Sequence, residues 1–135
     1  MNTELVIAII GAGVASLGLI VFFAKRPKKG IDKDYFEAKW KVLQKLLAKP
    51  ESWATAVIQA DNLLDEALKK SRYKGKTMGE RLVSAQRNLS DNDRVWFGHK
   101  LRNRIVHEVD VKMKEKDVKQ ALVGIRQALR DLGAL

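Results

Sequence analysis

The chain has 135 residues, 46% apolar and 31% charged, which is room and composition for one ordinary folded domain and too little for a two-domain enzyme. It has no cysteine and only two histidines, His99 and His107; disulfides, thiolate zinc sites, cysteine nucleophiles and histidine metal clusters are excluded, and no cofactor is expected. The 26 basic residues against 16 acidic ones leave a net charge of +10, an excess suited to a polyanion, either nucleic acid or an anionic membrane surface.

In chain order, residues 1–4 read as a short extracytoplasmic start. The uncharged run over residues 5–24 is long enough, at about 1.5 Å per residue, to cross the roughly 30 Å of a bilayer core. It reads as an uncleaved transmembrane helix, because a basic cluster follows it in place of a small-residue cleavage site. That cluster, Lys25, Arg26, Lys28 and Lys29, puts the N-terminus outside and the rest of the chain in the cytoplasm. Gly11-Ala12-Gly13-Val14-Ala15-Ser16 has the start of a dinucleotide fingerprint, but residues 17–23 are apolar on every face, where a nucleotide-binding helix is amphipathic. Gly11, Ala15 and Gly18 share one helix face instead, suited to the close approach of a second membrane helix.

Residues 25–31 form a basic juxtamembrane linker, and residues 32–135 carry helical periodicity without sustained strand alternation. Phe36, Trp40, Leu43 and Leu47 predict a first helix over residues 32–48. Pro50 suits the first turn of a second, carried by Trp53, Val57, Ala60, Leu64 and Leu68 to about residue 71. After a loop over residues 73–76, the capping-box pair Thr77 and Glu80 opens a third helix through Leu82, Val83 and Ala85. Ser90 with Asp93 starts a fourth, running to about Val109. Val118, Leu122, Ile125, Leu129 and Leu132 mark a fifth, stopped by Gly133. The expected fold class is all-α, a bundle of four to five helices preceded by one transmembrane helix.

The fourth helix has two unusual faces. At roughly 100° per residue, Phe97, Leu101 and Ile105 form an inward stripe, with Gly98 and Val109 beside it. Almost opposite lie Trp96, His99, Asn103, Val106 and His107, a face too aromatic for plain solvent and too polar for a core, which predicts a dimer face. The string Leu101-Arg102-Asn103-Arg104-Ile105-Val106-His107-Glu108 contains an arginine, an immediately following asparagine, and a histidine five positions after the arginine.

With this R-[N/D/H]-x-x-x-H signature, the preceding His99-Lys100, and the stretches Ala60-Asp61-Asn62-Leu63-Leu64-Asp65 and Gly79-Glu80-Arg81-Leu82, the chain resembles the HEPN superfamily, especially its small bacterial members, over at least residues 53–135. The resemblance implies an HEPN-like helical domain over residues 32–135, a homodimer, and metal-independent endoribonuclease activity on RNA. It assigns His107 as acid or base, Arg102 as clamp on the transition state, and Asn103 as a positioning donor. Those residue types suit attack by an RNA 2′-hydroxyl: imidazole exchanges protons near neutral pH, and guanidinium holds phosphoryl oxygens with a permanently charged fork. Arg102 and His107 lie about 140° apart on a straight helix, so the resemblance also implies a composite site made by two copies of that helix.

Lys69, Lys70, Arg72, Lys74 and Lys76 concentrate positive charge around the second loop, as RNA contacts, lipid contacts or a solvated surface. Gly75-Lys76-Thr77 matches the end of a phosphate-binding loop, but Lys70 stands where the first glycine belongs and no strand precedes it. Asp61 and Asp65 lie near the apolar side of the second helix, as partners for Arg81, Arg102 or Arg104. Glu108 adjoins His107, and Lys112, Lys114, Lys116 and Lys119, alternating with Glu115 and Asp117, read as a solvated turn. Beside the ribonuclease stands an alternative from another class, a noncatalytic membrane-tethered module that uses the Trp96, Asn103 and His107 face to dimerise or to hold a protein partner. A basic domain resting on lipid is the third reading.

Overall fold

The computed structural model describes residues 30–135. The transmembrane helix, its Gly11/Ala15/Gly18 face and the basic cluster at residues 25–29 lie outside the described residues. Within them, no helix is long and apolar enough to cross a membrane.

The described residues form five α-helices and no strand: α1 (Lys33–Lys45), α2 (Trp53–Lys70), α3 (Met78–Ala85), α4 (Asn92–His107) and α5 (Glu115–Asp131). The all-α expectation holds. Local chemistry sets most of the boundaries. Asp32 caps α1 by accepting from the Tyr35 amide at 3.2 Å, and Thr77 caps α3 by accepting from the Glu80 amide at 3.2 Å. The Glu80 carboxylate reaches back to the Lys76 amide, one residue before the position a capping box would satisfy. Gly133 ends α5 at φ +77°, and the Ala134 amide donates to the Leu129 carbonyl at 2.8 Å.

Three boundaries depart from expectation. Pro50 opens a separate 3-10 turn, Pro50–Ser52, and α2 begins at Trp53. That break is held by the Trp53 indole, which donates to the Leu47 carbonyl at 3.1 Å. Asp91, not Ser90, caps α4, accepting from the Arg94 amide at 3.1 Å. Ser90 is drawn to the far end of α5, where its amide and hydroxyl donate to the Asp131 carboxylate at 2.7 and 2.9 Å. Finally, α4 ends at His107 and leaves Val109 exposed.

One core joins the helices, with Phe36, Leu64, Leu68, Leu82, Ile125, Leu129 and Leu132 fully enclosed. The most extensive contact is between α4 and α5, which approach closely because glycines meet there. A Cβ on Gly124 would lie 2.4 Å from the Arg94 carbonyl carbon, and one on Gly98 would lie 3.0 Å from the Ala121 carbonyl oxygen.

This close approach turns α4 away from the predicted orientation. Val95, Gly98, His99 and Leu101 are buried, while Phe97 and Ile105 are only half-buried. The buried arc thus takes in His99, which the helical wheel put on an outer face. Of the five residues read as a dimer face, Trp96, His99 and Asn103 are wholly or partly covered within the chain itself, and Val106 and His107 remain exposed.

Candidate functional site

A cleft of about 410 Å³ opens between α2, α4 and the start of α3. Helix α2 brings Asp61 and Asp65 to it one turn apart, and α4 brings His99, Arg102 and Asn103 at i, i+3 and i+4, which share one helix face. Thr77 to Gly79, at the capped start of α3, form the third wall.

Four of these side chains close a ring. The Asp61 carboxylate, 2% exposed, lies 3.0 Å from His99 Nδ1. The far nitrogen of that imidazole, Nε2, lies 3.4 Å from Asn103 Nδ2. Asn103 Oδ1 accepts from Arg102 Nη1 at 3.1 Å, and Arg102 Nε returns to within 3.6 Å of Asp61 Oδ2. With Asp61 ionised, the bonds from Asp61 through His99 to Asn103 match donor to acceptor if His99 carries its proton on Nδ1 and accepts at Nε2, an assignment made from the geometry of the network. The buried Arg102 Nε makes only the longer ion contact and no hydrogen bond among the described residues. Trp96 meets the His99 ring edge-on, centroids 5.8 Å apart.

Burial raises the Asp61 carboxyl above the ordinary value near 3.8, against the pull of the His99 hydrogen bond and of Arg102. Next to it Asp65 behaves oppositely. Burial pushes its carboxyl up, but hydrogen bonds from Arg81 and Lys69 outweigh that and hold it below 3.8. Arg81 grips Asp65 with two nitrogens, at 2.7 and 3.1 Å, while its third donates to the Gly75 carbonyl at 2.7 Å. This fork pins the 74–77 loop and α3 to α2.

A carboxyl held below its unfolded value stabilises the fold above that value, and the contribution is lost as pH falls through the lower folded pKa. The wild type is therefore expected to exceed Asp65→Asn in stability by about 2 kcal/mol above roughly pH 5, with the gap closing as pH falls past 3.8 and through the lower folded pKa. Urea denaturation across that range checks it; a gap independent of pH contradicts the assignment.

Of the three residues assigned to catalysis, Arg102 and Asn103 line the cleft and His107 does not. His107 is the last residue of α4, exposed, and forms no hydrogen bond or ion pair among the described residues. Glu108 turns to Arg104 at 3.5 Å, so it does not bear on the His107 ring. Within the chain the imidazole near Arg102 is that of His99. Sequence reasoning placed His99 on the wrong side, although an acid on the apolar side of α2 was a signal that a buried partner was needed.

Among the described residues Arg102 is hydrogen-bonded through Nη1 alone; its Nε is buried and only ion-paired with Asp61 at 3.6 Å, its Nη2 bonds nothing, and its side chain stays 28% exposed. Each acid here is answered by a base, so an anion arriving at Arg102 meets no unpaired carboxylate. In the basic loop, Lys69 is committed to Asp65 at 2.9 Å, whereas Lys70, Arg72, Lys74 and Lys76 are exposed without an ion pair among the described residues. No group of His, Asp or Glu within the described residues is placed to hold a metal ion.

Comparison of the chain with models of protein families, with curated proteins and with solved structures returned no match.

Proposed function

We propose that this chain is an HEPN-like RNA-binding protein, anchored in the cytoplasmic membrane by residues 5–24, that cleaves RNA without a metal at a site shared by two copies. The observation that carries the reading is the position of Arg102: a guanidinium hydrogen-bonded to Asn103 at 3.1 Å and ion-paired with the buried Asp61 at 3.6 Å, with one edge open to the cleft. Such a preorganised fork suits the extra negative charge on a five-coordinate phosphorus. His107, on the same helix, is exposed and unengaged, as a group supplied to a partner's cleft must be. In this reaction the 2′-hydroxyl loses its proton and attacks phosphorus. The bond from phosphorus to the 5′-oxygen breaks, and that oxygen takes a proton. The products are a 2′,3′-cyclic phosphate and a 5′-hydroxyl, with His107 moving one of the two protons.

A second reading is favoured by the closed ring. Arg102 and Asn103 already have partners inside the protomer, as residues that shape a noncatalytic docking cleft for a protein partner would.

The full chain in neutral detergent, incubated with mixed RNA and chelator, separates the two. Cyclic-phosphate ends are expected from the wild type, and Arg102→Ala and His107→Ala are each expected to lower their yield by roughly a hundredfold or more. Mixing these two inactive variants and allowing subunits to exchange is expected to restore about a quarter of wild-type activity, because half the dimers then hold one intact composite site. Equal background in all samples overturns the enzyme and leaves the docking module. Loss in both variants without recovery on mixing overturns the shared site.

A further inference from the structure

A second polar pocket, sharing no residue with the Arg102 cleft, lies between α1 and α5 and encloses about 480 Å³. Lys33, Glu37, Trp40 and Lys41 reach it from α1, and Arg126 and Arg130, one turn apart, from α5. Its charge is unbalanced. Glu37 is answered by Lys33 at 3.8 Å, while Lys41, Arg126 and Arg130 form no ion pair among the described residues. Across the pocket the two helices therefore present like charges to each other, an arrangement that repels unless an anion lies between them.

An independent observation points to the same ligand. Trp40 is 6% exposed, and its indole Nε1 is buried without an acceptor among the described residues. Buried indole N–H groups ordinarily find a partner; Trp53, on the neighbouring turn, donates to Leu47. The pocket around Trp40 is walled largely by long flexible side chains, which can move aside without moving backbone.

We propose that this pocket binds a phosphoryl anion, with the Trp40 N–H as its buried donor and Lys41, Arg126 and Arg130 as its countercharges. Donors come from two opposing walls and from the indole. Diverging phosphate oxygens answer that arrangement, whereas the two coplanar oxygens of a carboxylate do not. The phosphate comes either from free solution or from an anionic lipid headgroup. Lys33 lies nine residues beyond Ala24, within about 30 Å of the end of the apolar run.

The test follows the three indole N–H resonances of the nitrogen-15-labelled full chain in neutral detergent, with Trp40 identified through Trp40→Phe. Sodium phosphate is titrated against chloride at matched ionic strength. A saturable shift of the Trp40 resonance is expected, with those of Trp53 and Trp96 unmoved, and Arg126→Gln/Arg130→Gln is expected to weaken it by roughly tenfold or more. The same protein in phosphatidylcholine bilayers with and without phosphatidylglycerol distinguishes the sources: a Trp40 shift on adding phosphatidylglycerol alone assigns the lipid headgroup, and a shift only with inorganic phosphate assigns the free anion. No Trp40 shift in either arm, or one undiminished in the double variant, overturns the proposal. Should the double variant lose its helical circular dichroism, Lys41→Gln carries the test, with unchanged affinity overturning it.

Discussion

Replacing Asp61 with alanine is expected to destabilise the folded domain by about 3 kcal/mol. The carboxylate is the only ring member from α2, and it faces two groups of α4, His99 at 3.0 Å and Arg102 at 3.6 Å. Removing it leaves the His99 N–H without its acceptor and the Arg102 guanidinium without its counter-charge, still bonded to Asn103. Urea denaturation followed by circular dichroism measures the loss. In a cycle with His99→Ala, the two losses are expected to be strongly non-additive, since either change breaks the same ring. Additive losses, or a loss for Asp61→Ala below about 1 kcal/mol, would show that His99 and Arg102 do not depend on it.

The pH dependence of this position has the opposite sign to that of Asp65. Because burial raises the Asp61 carboxyl above 3.8, the proton-linked share of its contribution is complete below that value and is lost as pH rises through the folded pKa. The margin of the wild type over Asp61→Asn is therefore expected to shrink on going up from acid pH, as the Asp65→Asn margin grows. Two neighbouring acids on one helix thus differ first through burial, which is deeper at Asp61, and then through their partners. Asp65 has a buried bidentate arginine and a lysine, while Asp61 has an imidazole and a more distant guanidinium.

Gly124→Ala sets local preference against packing. In mid-helix, alanine is favoured over glycine by about 1 kcal/mol, so a helix considered alone gains stability. Here the added Cβ would lie 2.4 Å from the Arg94 carbonyl carbon and 2.5 Å from its oxygen. Those are backbone atoms of α4, which cannot swing aside as a side chain can. A net loss of about 1–3 kcal/mol is expected, read as a lower midpoint in thermal or urea unfolding. Any gain in stability would mean that the two helices are farther apart. Gly98→Ala, with its nearest contact at 3.0 Å, is expected to lose less. The Gly124 change also bears on the shape of the cleft, because α4 presents His99, Arg102 and Asn103 on its flank toward α2.

Five helices in order, the Thr77 cap and the Gly133 stop follow from the sequence alone, because spacing at i, i+3 and i+4 and capping chemistry are local properties of the chain. So did the choice of Asp61 and Asp65 as acids seeking arginines, since a carboxylate among Ala60, Leu64 and Leu68 must be paired to be buried. Tertiary structure decided which arginine each received: Arg81 went to Asp65 and Arg102 to Asp61, while Arg104 pairs locally with Glu108, the residue just past the end of α4. It also decided which way α4 faces. A helical wheel counts apolar side chains and therefore turns Phe97 and Ile105 inward and His99 outward. The wheel cannot register that two glycines let α5 approach, or that an acid 38 residues away supplies the buried partner. Ser90 was diverted from capping for the same reason, its acceptor lying 41 residues downstream. Periodicity reports a helix's own geometry, whereas the burial of a polar group depends on a partner that only the packing of distant elements brings within reach.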